Sequence, residues 1–154
     1  MNTTTSNTTT LVEGVDYVRA IWAGDTVTNK GELPLWSGKG ELPAIGADVP
    51  VNRFLSARVE GYSVEGGWLM LDAQRSDGKR GTLAGAEIAW NLVGAVVREG
   101  DAVRVDLGKG MVPATFIRAR LCRRRNGIDM DTLYVVKVRG KERSVARVNI
   151  SAAL

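Results

Sequence analysis

The 154 residues contain no histidine and a single cysteine, Cys122. The first absence removes Ser-His-Asp and Cys-His nucleophilic chemistry. The second removes a disulfide framework and a cysteine-rich zinc site. No apolar run approaches ~18 residues, so no transmembrane helix is expected. Met1-Asn2-Thr3-Thr4-Thr5 has neither the basic nor the apolar region of a signal peptide, and secretion by that route is not expected. Phosphate loops are missing too. The Gly-Lys pairs at 38–39, 78–79 and 108–109 have Leu33, Ala73 and Val103 where the first glycine of Gly-x-x-x-x-Gly-Lys belongs. Ser76-Asp77-Gly78-Lys79 spells Ser-x-x-Lys, but in a hairpin turn rather than on the helix that motif needs. Asp129-Met130-Asp131 lacks the glycine and the closing glutamate of a calcium loop. These absences point away from an enzyme and from any cofactor.

What is present is globular. Hydrophobic residues make up 44% and charged residues 25%, enough for a packed core. Charge is segregated. Residues 1–97 hold 8 Lys/Arg against 11 Asp/Glu, a net of −3; residues 98–154 hold 13 against 6, a net of +7. A basic C-terminal segment suits an acidic partner such as nucleic acid, or else a solvated face.

The pattern along the chain is β. Asn2–Thr10 is almost all Thr, Ser and Asn and reads as a flexible arm. Leu11–Thr28 fits a short helix or a strand equally well. Lys30-Gly31-Glu32-Leu33-Pro34 is echoed by Lys39-Gly40-Glu41-Leu42-Pro43, a structured loop that Trp36 is expected to pin by its own burial. From Gly46 onward short alternating segments are separated by turn signals such as Gly66-Gly67 and Asn126-Gly127. Leu55, Ala57, Val59 and Gly61 are placed on one strand face. Gly46-Ala47-Asp48-Val49-Pro50-Val51 rhymes with Gly100-Asp101-Ala102-Val103-Arg104-Val105, and each is followed by a longer strand. The expectation is a mainly β chain of two tandem five-stranded barrels, Tudor or KOW in type, with one larger β domain as the alternative. The units would be an arm and loop at 1–45, a first barrel at 46–92 and a second, basic barrel at 93–154.

One constellation carries chemistry. Strand periodicity of two puts Phe116, Arg118, Arg120 and Cys122 on one face and Ile117, Ala119 and Leu121 on the other. Beyond the Asn126-Gly127 turn, Val135, Lys137 and Arg139 face outward, and Tyr134, Val136 and Val138 inward. Arg118, Arg120, Lys137 and Arg139 should form one positive patch, with Arg123, Arg124 and Arg125 at its tip. Such a patch fits phosphate contacts, although the long stems could equally cover apolar surface.

Leu35-Trp36-Ser37-Gly38-Lys39-Gly40-Glu41-Leu42-Pro43-Ala44-Ile45-Gly46 resembles a motif of short, uncharacterised bacteriophage proteins: Trp, Asn or Ser, Gly, x, Gly, then Pro-x-x-Gly and a Val-rich strand. The Arg-Pro-Ile-Arg-like tail frequent among them is absent. The resemblance implies a phage origin, and with it the host cytoplasm or the virion, but no activity. The function expected is non-enzymatic binding of nucleic acid through the basic hairpin face. The rivals are a virion decoration, head-to-tail or assembly protein, and an inhibitor of a host protein. No membrane partner is expected, and self-association remains open.

Overall fold

A computed structural model describes residues 10–23, 26–28 and 33–153. Most of the expected Thr-rich arm, and Lys30 to Glu32 of the echoed loop, lie outside the described residues. Among those described, the chain is mainly β and has no α-helix.

The first sheet gathers β1 (Val18–Arg19), β4 (Leu35–Trp36), β5 (Asp48–Asn52), β6 (Leu55–Glu65), β7 (Trp68–Arg75) and β8 (Arg80–Ala84). Its order is β1-β4-β7-β6-β5, with β8 also paired to β7. A small hairpin joins β2 (Ile21–Ala23) to β3 (Thr26–Thr28). Gly66 and Gly67, at φ +58° and +86°, close the tight β6–β7 turn in a left-handed conformation that glycine adopts without a Cβ clash. The second sheet is β12-β11-β10-β9-β13. Its strands are β9 (Ala102–Asp106), β10 (Met111–Arg123), β11 (Met130–Val138), β12 (Lys141–Val145) and β13 (Ile150–Ala152).

Apart from β1 and β4, which pair in parallel at one side of the first sheet, the two sheets follow the same path. Four consecutive strands run antiparallel, and one turn of 3-10 helix follows, at Gly85–Glu87 or Arg147–Asn149. The chain then returns to the first strand of its own set. In the second sheet β13 pairs with β9; in the first, Ala89 N–H donates to Pro50 O at 2.9 Å. The sequence rhyme therefore has a counterpart in connectivity. Among the described residues no strand is shared between the two sheets.

Each long strand carries a bulge that resets its alternation. In β6 the register shifts between Val59 and Gly61, so Tyr62 rather than Gly61 stands opposite the buried Leu71. Gly61 thus leaves the face shared by Leu55, Ala57 and Val59. In β10 the shift lies between Phe116 and Arg118. Ile117 takes up the extra position, and Phe116 turns inward with Ala119, away from the arginine face on which strict alternation placed it.

The first core is built on Trp36, Val59 and Leu71, each at most 1% exposed. Trp36 meets Trp90 edge-on at 6.5 Å. The expected burial of Trp36 is borne out. Gly38 lies so near the ring that a Cβ there would sit 2.3 Å from Trp36 Cζ2, and a Cβ on Gly85 would sit 2.5 Å from the Gly38 amide nitrogen. The glycine after Trp-Ser is thus a space requirement. The second core surrounds Tyr134, Val103, Val105 and Val136. Phe54 and Leu55, from the β5–β6 hairpin of the first sheet, belong to this second core. Phe54 lies 5.9 Å from Phe116 and 5.4 Å from Tyr134, ring centre to ring centre. Val51 touches both cores. The sheets are separate, but their interiors interlock.

Candidate nucleic-acid interface

The basic hairpin is β10–β11. Its turn is knitted by Asn126, whose Oδ1 accepts from the amides of Ile128 at 2.9 Å and Asp129 at 3.0 Å. Gly127 sits at φ +74°, and its amide donates to Arg124 O at 2.9 Å. The loop is longer than the two-residue turn that Asn-Gly most often signals: Arg123 and Met130 form the last ladder pair, and of Asn126 and Gly127 only Gly127 takes a positive φ. It displays Arg125 and an Ile128 that is 82% exposed.

Register decides which arginines share a face. Arg118 stands opposite Val135, Arg120 opposite Leu133, and Lys137 opposite Thr115. Paired residues point the same way, so Arg118, Arg120 and Lys137 occupy one outer face, all exposed. The two arginines reach across β11 towards β12. Arg118 Nη2 lies 4.0 Å from Glu142 Oε1, and Arg120 Nε donates to Ser144 Oγ at 3.4 Å. Their stems therefore cross β11 where Val135 is 3% exposed. Alternation turns Val135 to the outer face, and its side chain does point there, but the residue is covered rather than open to solvent. Arginine stems shielding apolar surface is a familiar use of this side chain.

The remaining cations are distributed differently. Arg124 pairs with Asp131 at 3.1 Å, and that carboxylate raises the guanidinium above its ordinary value. Arg123 alternates onto the opposite face of the hairpin, where its Nη1 donates to Gly127 O at 2.8 Å. Arg139 stands past the end of β11, in the two-residue turn to β12, at φ +52°. The structure thus brings Arg118, Arg120 and Lys137 together, sets Arg123, Arg124 and Arg125 at the tip, with Arg123 turned to the opposite face, and puts Arg139 elsewhere. Sequence reasoning missed the carboxylates that temper the patch. Asp131 signalled itself only by standing across the turn from Cys122, and Glu142 by lying opposite Lys137 on the next strand.

The tip half of the hairpin is locked to the first sheet through Thr132, which stands opposite Leu121. Asp77, in the β7–β8 turn, has a fully buried side chain. Arg75 Nη2 lies 2.5 Å from Asp77 Oδ2 and donates to Thr132 Oγ1 on β11 at 2.7 Å. The Thr132 hydroxyl donates to Asp77, and the Lys79 amide donates to Asp77 Oδ1 at 3.1 Å. Burial alone pushes the Asp77 carboxyl up, but Thr132, Lys79 and Arg75 together outweigh it and hold it below its ordinary value. A second polar tie runs from Asn52 Nδ2 to the Tyr134 hydroxyl at 3.3 Å. The hairpin is consequently presented at a set angle.

Among the described residues no three His, Cys, Asp or Glu side chains converge as metal ligands, and no helix is long and apolar enough to cross a membrane. Comparison with known proteins finds no family model, no curated protein and no solved structure that matches this chain.

Proposed function

We propose that this is a non-enzymatic, phage-type binding protein of two tandem small β-barrels, Tudor or KOW in kind, whose basic second unit binds nucleic acid through the β10–β11 hairpin. The repeated strand path of the two sheets supports the barrel reading, with units at 46–92 and 93–154 after an arm and loop at 1–45. One observation carries the binding reading: Arg118, Arg120 and Lys137 align on one exposed face of a segment that holds 13 cations against 6 carboxylates. Contacts of this kind go to phosphates, so binding is salt-sensitive and nearly indifferent to sequence.

The test is purification with and without nuclease, followed by fluorescence anisotropy with labelled DNA and RNA across a salt series. Replacing Arg118 and Arg120 by Ala should make the log–log salt dependence shallower by roughly one unit for each phosphate that is no longer neutralised, while uncovering Val135 lowers stability by about 1–2 kcal/mol. A parent protein that binds neither DNA nor RNA at low salt refutes the reading. A virion assembly role, or inhibition of a host protein, then takes its place. That rival has support of its own: Glu142 and Asp131 temper the arginines, while Ile128 and Val148 stand 82% and 88% exposed, as residues that meet a protein partner would. Size-exclusion chromatography of the nuclease-treated protein reports any self-association.

A further inference from the structure

The second sheet carries another cluster of cations, at the end away from the Asn126-Gly127 tip. A groove of about 340 Å³ opens there between the β9–β10 turn and the β11–β12 turn. Its floor is apolar: Leu107, Val112 and Val138. Lys109, Arg139, Lys141 and Arg143 stand around it. The placement follows from register. Lys141 lies opposite Val138 and Arg143 opposite Val136, both buried, so these two cations project on the core side of β12, beyond the edge of the core. Glu142, between them, points to the opposite face and pairs with Arg118.

Two features separate this groove from the hairpin face. Among the described residues none of its four cations forms an ion pair, whereas Arg118 and Arg124 each face a carboxylate. Four mutually repelling cations without counter-charges around one groove make a strong attractor for an anion. The second feature is Arg139. It is the one non-glycine among the described residues with positive φ, at +52°, in a turn where glycine or asparagine is unstrained. An arginine kept in that conformation is held against a local preference, which marks it as a functional candidate.

We infer that this groove is a second nucleic-acid contact, taking one or two nucleotides of a single strand with phosphates on the cationic rim and a sugar or base edge on the apolar floor. The inference rests on the nucleic-acid reading of the same unit. Lys141 and Arg143 lie two residues apart on one strand face, about 6.6 Å along the chain, a spacing of the order of successive phosphates in an extended strand.

The experiment compares Lys141→Gln with Arg143→Gln as a double variant, Lys109→Gln alone, and Arg118→Ala with Arg120→Ala. Anisotropy uses short oligothymidylate and a blunt duplex, after circular dichroism has shown each variant folded. Lys109 sits in a different turn, so it tests the groove even where the β12 variant fails to fold. For oligothymidylate, the β12 double variant should lose about 1.4 units of salt slope and Lys109→Gln about 0.7. The duplex should respond mainly to the Arg118 and Arg120 changes. If the parent binds and the groove variants keep its slope, the inference falls while the hairpin reading stands. Equal losses on strand and duplex overturn the single-strand assignment. A parent that binds no nucleic acid removes both.

Discussion

Arg75→Ala tests how firmly the basic hairpin is tied to the first sheet. The truncation removes a charge-assisted contact to Asp77 and a hydrogen bond to Thr132. Charged hydrogen bonds contribute ~1.5–3 kcal/mol and neutral ones ~0.5–1.5. It also leaves a fully buried carboxylate with only the Thr132 hydroxyl and the Lys79 amide. Breaking a buried pair from one side typically costs ~3–5 kcal/mol. The Arg75 side chain is 28% exposed, so water entering the vacated space recovers part of that cost. We expect about 3 kcal/mol, which for a chain of this length lowers Tm by roughly 6–12 °C. Urea and thermal melts at pH 7 measure it. Acid supplies an independent check. The folded Asp77 carboxyl titrates below its unfolded value of about 3.9, so its contribution is present above that pH and is lost as the pH falls through the folded value. Asp77→Asn should therefore be destabilised at pH 7 and should lack Asp77's share of the parent's decline in stability on acidification below about pH 4. A change under ~0.5 kcal/mol in Arg75→Ala, or an unaltered acid limb in Asp77→Asn, would show that the cluster is merely tolerated.

Further outcomes follow from packing and backbone. Gly38→Ala must displace either the Trp36 ring or its own backbone and should cost about 1–3 kcal/mol in a urea melt, whereas Gly81→Ala, with open space around it, should cost far less. Phe54→Ala should cost about 3–5 kcal/mol and, although Phe54 belongs to the first sheet's hairpin, should loosen amide protection in β10 and β11. Arg139→Gly relieves a positive φ and should raise stability by up to about 1 kcal/mol while weakening oligothymidylate binding; a stabilised variant with undiminished binding would remove Arg139 from the groove's function.

The strands were legible because alternation and turn residues agreed. Val103 and Val105 face inward, and Gly66-Gly67 and Asn126-Gly127 close hairpins, all as the pattern implies. Trp36 was legible from its size alone. The bulge at Ile117 was not, since nothing in Thr-Phe-Ile-Arg departs from good strand sequence; only the pairing of two neighbouring strands makes one residue surplus. The bulge in β6 had a faint signal in Gly61, as glycine inside a strand often marks one. Arg118 and Arg120 were rightly placed together, yet the carboxylate and hydroxyl that they reach lie on β12, more than twenty residues later, and strand order had to be known first. The cationic groove stayed hidden for the same reason. Lys109 and Arg143 meet only because β9–β10 and β11–β12 turn at the same end of the sheet.

The interlocked interiors bear on how the chain is made. A ribosome releases the β5–β6 hairpin early, with Phe54 and Leu55 at its turn. The residues that will cover them run from Val97 to Ile150 and emerge last. Throughout that interval the nascent β5–β6 hairpin presents an aromatic and a leucine to water, a sticky knob with no socket. Such exposed apolar surface favours aggregation until the second sheet closes around it. Once closed around Phe54 and Leu55, the late-made sheet cannot loosen without uncovering part of the β5–β6 hairpin, although no strand of one sheet pairs with the other among the described residues.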